Sequence, residues 1–169
     1  MAMIFQIIGI ELRLVAPVVS VFLILGCGGK EMPNLTLEEQ RLIGIYNFDI
    51  KALANSAGVS EGLARGSTKE APSLELSASQ GKKSFSLEIP RAIVKGSWSL
   101  VNNELRLKQE QIVKPFYDEH GNQEIEKSEK IIILLVDSNG TTLRPVANEE
   151  NGVRKDVPED SRIPYIREN

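Results

Sequence analysis

The sequence predicts a mainly β domain, a single antiparallel meander closed into a small up-and-down barrel, with a β-sandwich as the alternative. Three observations predict it. Apolar residues recur at every second position through most of the chain after Leu42, the spacing that puts them on one face of a strand. Short Gly- and Asn-bearing segments separate the alternating runs, and these residues tolerate the positive φ of tight hairpin turns. Seven or eight consecutive strands joined this way must hide their edges, by closing a barrel or stacking a sandwich.

In chain order, Thr36-Leu37-Glu38-Glu39 reads as a capping box, with Thr36 as N-cap and Glu39 three residues on, and predicts a short helical turn. Leu42, Gly44, Tyr46, Phe48 and Ile50 then share one side of a first strand, opposite Asn47, Asp49 and Lys51. The same alternation predicts strands over Leu74 to Ala78, Phe85 to Ile89, Val94 to Leu100 and Leu105 to Lys108. Between them, Ser79-Gln80-Gly81-Lys82 and Val101-Asn102-Asn103-Glu104 read as hairpin turns. Ala52 to Pro72 is the one long connection. It holds a helix over Ile50 to Arg65 broken by glycines, each costing about 1 kcal/mol against alanine, and is the candidate lid or partner-binding element, with a flexible surface insertion as the alternative.

Further on, Asp118-Glu119-His120-Gly121-Asn122 and Asp137-Ser138-Asn139-Gly140 read as turns. Ile131 to Val136, six apolar residues ending at an Asn-Gly turn, predicts a strand. Thr141 to Arg144 is its partner, closed by Pro145, and Ile163, Tyr165 and Ile166 are the residues able to dock as a last strand.

Cys27 is the only cysteine, directly behind an uncharged apolar run from Leu14 to Gly26 that is too short to span about 30 Å of hydrocarbon. Its length fits a signal-peptide h-region. Ile24-Leu25-Gly26-Cys27 resembles the lipobox of bacterial lipoprotein precursors. The resemblance implies a signal peptide over residues 1–26, lipid attached to Cys27, a tether over residues 27–34 and a β-domain over 35–169. It implies a domain anchored to the cell envelope, and, with Gly28 after the cysteine, the outer membrane of a Gram-negative cell. Glu11 and Arg13 depart from the positive n-region of such precursors; a start just before Arg13 or an uncleaved anchor reaching back to Met3 are the alternatives.

Gly44-Ile45-Tyr46 and Gly96-Ser97-Trp98, followed by Asn102-Asn103 and Leu105-Arg106-Leu107, resemble lipocalin-like domains. The similarity covers residues 42–108 and implies the barrel architecture. Tyr46 stands where that family usually carries tryptophan. Tyr46 and Trp98 fall on the predicted inner face and are the candidate ligand-facing residues, though aromatics of this size also serve as core.

The remaining chemistry is sparse. The formal net charge is −3, so no basic excess recruits nucleic acid. One histidine cannot supply a zinc site, and Asp118, Glu119, His120, Glu124 and Glu126 read as a solvated hairpin tip. Asn148 stands where a calcium loop starting at Asp137 needs its glutamate. No Gly-x-Ser-x-Gly elbow and no phosphate-binding glycine loop occurs. The expectation is therefore a non-enzymatic binding module without cofactor or metal, taking a lipophilic or peptide ligand. The alternatives are a structural or assembly lipoprotein working through protein contacts, and a hydrolase using a carboxylate pair.

Overall fold

The computed structural model describes residues 35–67, 71–79, 81–117 and 123–168. The expected Cys27 anchor, signal segment and tether, and the expected turn around His120, lie outside them. Helix α1 (Leu37–Leu42) begins at the expected capping box: Glu39 N–H donates to Thr36 Oγ1 at 3.2 Å and Thr36 N–H to Glu39 Oε2 at 3.1 Å. Strand β1 (Gly44–Phe48) follows. It is shorter than the expected Leu42–Ile50, because Leu42 still belongs to α1 and Asp49 caps the next helix by accepting from Ala52 N–H at 2.9 Å.

The long connection folds as the broken helix its composition predicts. Helix α2 (Ile50–Ala57) stops at Gly58, whose φ of 63° is left-handed, and α3 (Glu61–Ser67) resumes after Ser60. The meander then runs through β2 (Ser73–Ser79), β3 (Lys82–Ile89), β4 (Ala92–Val101) and β5 (Glu104–Tyr117). It continues through β6 (Gln123–Lys127), β7 (Ile131–Val136), β8 (Thr142–Glu150), β9 (Val153–Asp156) and, after a 3-10 turn at Glu159–Ser161, β10 (Tyr165–Arg167).

The expected barrel is present: an eight-stranded antiparallel ring in the order β1-β2-β3-β4-β5-β7-β8-β10, closed by pairing of β10 with β1. Two strands lie off the ring. Residues 104–108 of β5 pair with β7, and the rest of that edge from Gln111 onward takes β6. Likewise β8 pairs with β10 at Thr142 and Leu143 and with β9 from Ala147 to Glu150.

Two expectations about the second half need correction. Pro145 does not close its strand; β8 runs through it. It faces Leu134 at a register shift in the β7–β8 ladder, where a residue without N–H is tolerated. The tail also holds a further strand, because Asn151 and Gly152, with φ of 53° and 75°, turn β8 back as β9. Asn102 and Asn103, at 50° and 63°, make the β4–β5 turn the sequence predicts.

Inside the ring, Tyr46, Leu74, Leu76, Phe85, Leu87, Val94, Trp98, Leu105, Leu107, Leu134 and Leu143 form one buried cluster with Leu42 of α1. Outside, Ile133 and Ala147 share a face with Arg106 and Glu149, whose ion pair of 2.6 Å crosses β7 above them. Arg154 of β9 reaches Glu104 of β5 at 3.1 Å on the same face.

Candidate functional site

The barrel's two ends are built differently. The near end carries α1 and the β2–β3, β4–β5 and β7–β8 turns. Leu42, 1 % exposed, drops from α1 into the core and packs 3.5 Å from the Cβ position of Gly140 in the β7–β8 turn. The carbonyls that end α1 would otherwise lack donors. Tyr46 O–H lies 2.9 Å from Gly140 O and 3.1 Å from Leu42 O. Arg167, from the last strand, donates to Arg41 O at 2.6 Å and Ile43 O at 2.7 Å. Gly44 leaves room for that guanidinium, since a Cβ there would sit 3.1 Å from Arg167 Nε.

Trp98 is fixed as firmly. Its indole N–H donates to Ser77 O at 2.9 Å, and Lys83 Nζ stands 5.5 Å from its ring centroid. The same ammonium is 2.5 Å from Glu39 Oε1, which binds α1 to β3. Burial opposes ionisation of Glu39, but the Lys83 ammonium and the Thr36 donors outweigh it and hold the carboxyl below its ordinary range. Gly96, two residues before Trp98, is dictated by backbone approach: a Cβ would lie 2.0 Å from Lys108 O at the β4–β5 bulge.

The sequence-predicted pair therefore sits together in the filled part of the barrel. Tyr46 is 0 % and Trp98 3 % exposed, and backbone carbonyls take the polar atoms of both.

At the far end, inner-face residues of five of the eight ring strands are only half-buried: Phe48 of β1, Ile89 of β3, Ile112 of β5, Ile132 of β7 and Tyr165 of β10. Asn148, opposite Ile132 on β8, is exposed. Below this collar, Gln109 continues the inward row of Leu105 and Leu107 and is buried, its Oε1 accepting from Ser128 Oγ at 2.8 Å. Tyr165 meets Phe48 edge to face, with ring centroids 5.6 Å apart. Among the described residues its hydroxyl has no hydrogen-bond partner, and burial pushes the phenol up to about 12.

The long connection leaves from this same end. Asp49 N–H donates to Pro164 O at 2.9 Å and Ser56 Oγ to Asp160 O at 2.7 Å, tying α2 to the segment before β10. Chemically, the collar offers an apolar ring with a free hydroxyl and a primary amide, suited to holding a neutral or amphipathic molecule.

Elsewhere, three acidic groups are tied to neighbouring donors. Asp137 accepts from Thr141 N–H at 2.8 Å and Thr142 N–H at 3.1 Å, forming a turn. Burial opposes its ionisation, but those donors lower its pKa overall. Glu124 and Glu126 pair with Lys114 at 2.7 and 3.7 Å. Among the described residues, no three His, Cys, Asp or Glu side chains gather where they could hold a metal.

Sequence reasoning did not single out the collar. The available signal was parity carried outward, since each collar residue lies at the end of an inward row away from Trp98. No family model, no curated protein and no solved structure matches the chain.

Proposed function

We propose that this chain is an envelope lipoprotein, anchored through lipid on Cys27, whose barrel is a non-enzymatic binding module for a small apolar or amphipathic ligand taken at the far end. One observation supports the reading: five inner-face apolar side chains around the far end, Phe48, Ile89, Ile112, Ile132 and Tyr165, stay half-buried. Partly solvated apolar surface on the inside of a barrel is relieved when a ligand covers it.

The test is a titration with the apolar fluorophore N-phenyl-1-naphthylamine. Saturable binding is expected, competed by long-chain fatty acids or alcohols and lost in the Ile112→Gln/Ile132→Gln double variant. Circular dichroism checks that this variant still folds. Absence of saturable binding to the folded wild-type chain defeats the proposal.

The outer surface favours a second reading, an assembly lipoprotein acting through protein contacts. Ile93, Val113 and Ile125 stand in register across β4, β5 and β6, with Ile125 56 % exposed. Crosslinking in intact cells through a photoreactive group at Ile125 that captures one reproducible envelope protein supports this reading; its failure to do so removes it.

A further inference from the structure

A second cleft lies at the near end. It has a volume of about 270 Å³ and opens between α1, the β4–β5 turn and the β7–β8 turn. Its apolar lining is Leu42, which is buried, with Leu100 of β4 and Val136 of β7, which are half-buried. Tyr46 O–H ties the end of α1 to Gly140 in the β7–β8 turn, and Val136 N–H donates to Asn103 O at 2.9 Å, joining β7 to the β4–β5 turn. A cleft held on three sides in this way needs little reordering to take a ligand.

Charge decides what that ligand is. Glu38, Arg41 and Asp137 are the ionised groups around the cleft. Asp137 is occupied by the N–H groups of Thr141 and Thr142. Glu38 and Arg41 are exposed, and among the described residues their side chains have no ion-pair or hydrogen-bond partner. They stand three residues apart on α1, a spacing that puts Cβ atoms about 5–6 Å from each other. One small molecule can meet both. A simple anion would face the carboxylates of Glu38 and Asp137 as well as Arg41, and a simple cation would leave Arg41 unanswered, whereas a zwitterion complements both free groups. The volume falls just below the roughly 300–1,000 Å³ of most small-molecule pockets, which limits the apolar part to about one side chain.

We propose that this cleft binds a free α-amino acid with an apolar side chain, its carboxylate on the Arg41 guanidinium, its ammonium on Glu38 and its side chain against Leu100 and Val136. The site is separate from the collar and does not depend on the Cys27 anchor.

The test is equilibrium dialysis of tritiated L-leucine against the purified full chain. Saturable binding of about one leucine per chain is expected. Glu38→Gln and Arg41→Gln should each weaken it about tenfold, through loss of one charge-assisted contact. For the same reason 4-methylpentanoate and 3-methylbutylamine, which each keep one of leucine's two charges, should compete about tenfold less well than unlabelled leucine. The Ile112→Gln/Ile132→Gln variant should retain leucine as the wild type does, with circular dichroism checking the fold of every variant. Failure of the folded wild-type chain to retain leucine overturns the proposal. It is equally overturned by binding that either charge variant leaves unchanged, by a single-charge analogue that competes as well as leucine, or by loss of binding in the collar variant.

Discussion

The near and far ends of the barrel are made from the same eight strands, and each keeps half-buried apolar side chains, Leu100 and Val136 at one, Ile112 and Ile132 at the other, yet they are tied together differently. At the near end each feature uses the others. Thr36 starts α1, Leu42 fills the core from its last turn, and Tyr46 and Arg167 take the carbonyls that helix leaves over. At the far end Phe48, Ile89, Ile112, Ile132 and Tyr165 line the wall without completing it. Hydrogen bonds and an ion pair to α1 tie the near end together, while the far end keeps partly solvated apolar side chains. Substitutions at the two ends should therefore differ in cost.

The largest contrast is expected between Trp98→Ala and Ile112→Ala. Removing a fully buried indole leaves a cavity and an unused Ser77 carbonyl, costing about 3–5 kcal/mol. The half-solvated isoleucine should cost only about 1–2 kcal/mol, less than full burial would. Urea denaturation of both variants measures the difference. Equal losses would mean that the collar is as tightly packed as the near end, and would undo the comparison.

Next comes Arg167→Ala, at about 2 kcal/mol, since two charge-assisted hydrogen bonds to the end of α1 are lost. Arg154→Ala removes ion pairs to Glu104 and Asp156 that are largely exposed and screened by solvent, and should cost clearly less than Arg167→Ala. If amide exchange in α1 is unchanged in Arg167→Ala, the guanidinium does not hold the helix.

Acid should loosen the near end. Glu39 and Asp137 both lie there, and both have folded pKa values below their ordinary ones. Their contribution is present above the unfolded carboxylate pKa and is lost as pH falls through the lower folded value. Amide exchange followed from pH 6 to pH 3 should show α1 and the β7–β8 turn opening before the strands around the collar. Glu39→Gln should remove part of that dependence, and unchanged acid sensitivity in this variant would break the assignment.

Much of this was legible in the chain because alternation and turns are local. The capping box at Thr36, the break at Gly58, the turns at Asn102-Asn103 and Gly140, and the strand at Ile131–Val136 each depend on a few adjacent residues. Pro145 was misread because its tolerance depends on a bulge set by the facing strand. Asn151-Gly152 carries a hairpin signal that the charged residues around it obscure. The collar was hidden for a different reason. Parity says that Ile112 and Ile132 point inward, but whether an inward residue is packed or left half-wet depends on where eight strands end relative to one another. Arg167 is equally silent in sequence, since its partners Arg41 and Ile43 lie more than a hundred residues away.

The finest distinction lies between two tyrosines on the same inner wall. Tyr46 O–H is shared between two carbonyls at the near end, and Tyr46→Phe leaves both without it, costing about 1 kcal/mol. Tyr165 O–H has no hydrogen-bond partner among the described residues, so Tyr165→Phe should change stability by less than about 0.5 kcal/mol while weakening ligands that use the hydroxyl. Alkaline titration separates the two from a second direction. Burial raises both phenols, Tyr165 to about 12. A raised phenol favours the folded state fully below its unfolded pKa near 10, and that contribution is lost as pH climbs through the folded value. Phenolate absorbance of wild type against Tyr165→Phe should therefore show one group titrating late, near pH 12, that is missing from the variant. A bound ligand hydrogen-bonded to that phenol should move its titration while leaving the Tyr46 step in place. If ligand binding and the late titration are both indifferent to Tyr165→Phe, the free hydroxyl is a frayed strand end and the polar contact of the collar falls to Gln109 or Asn148.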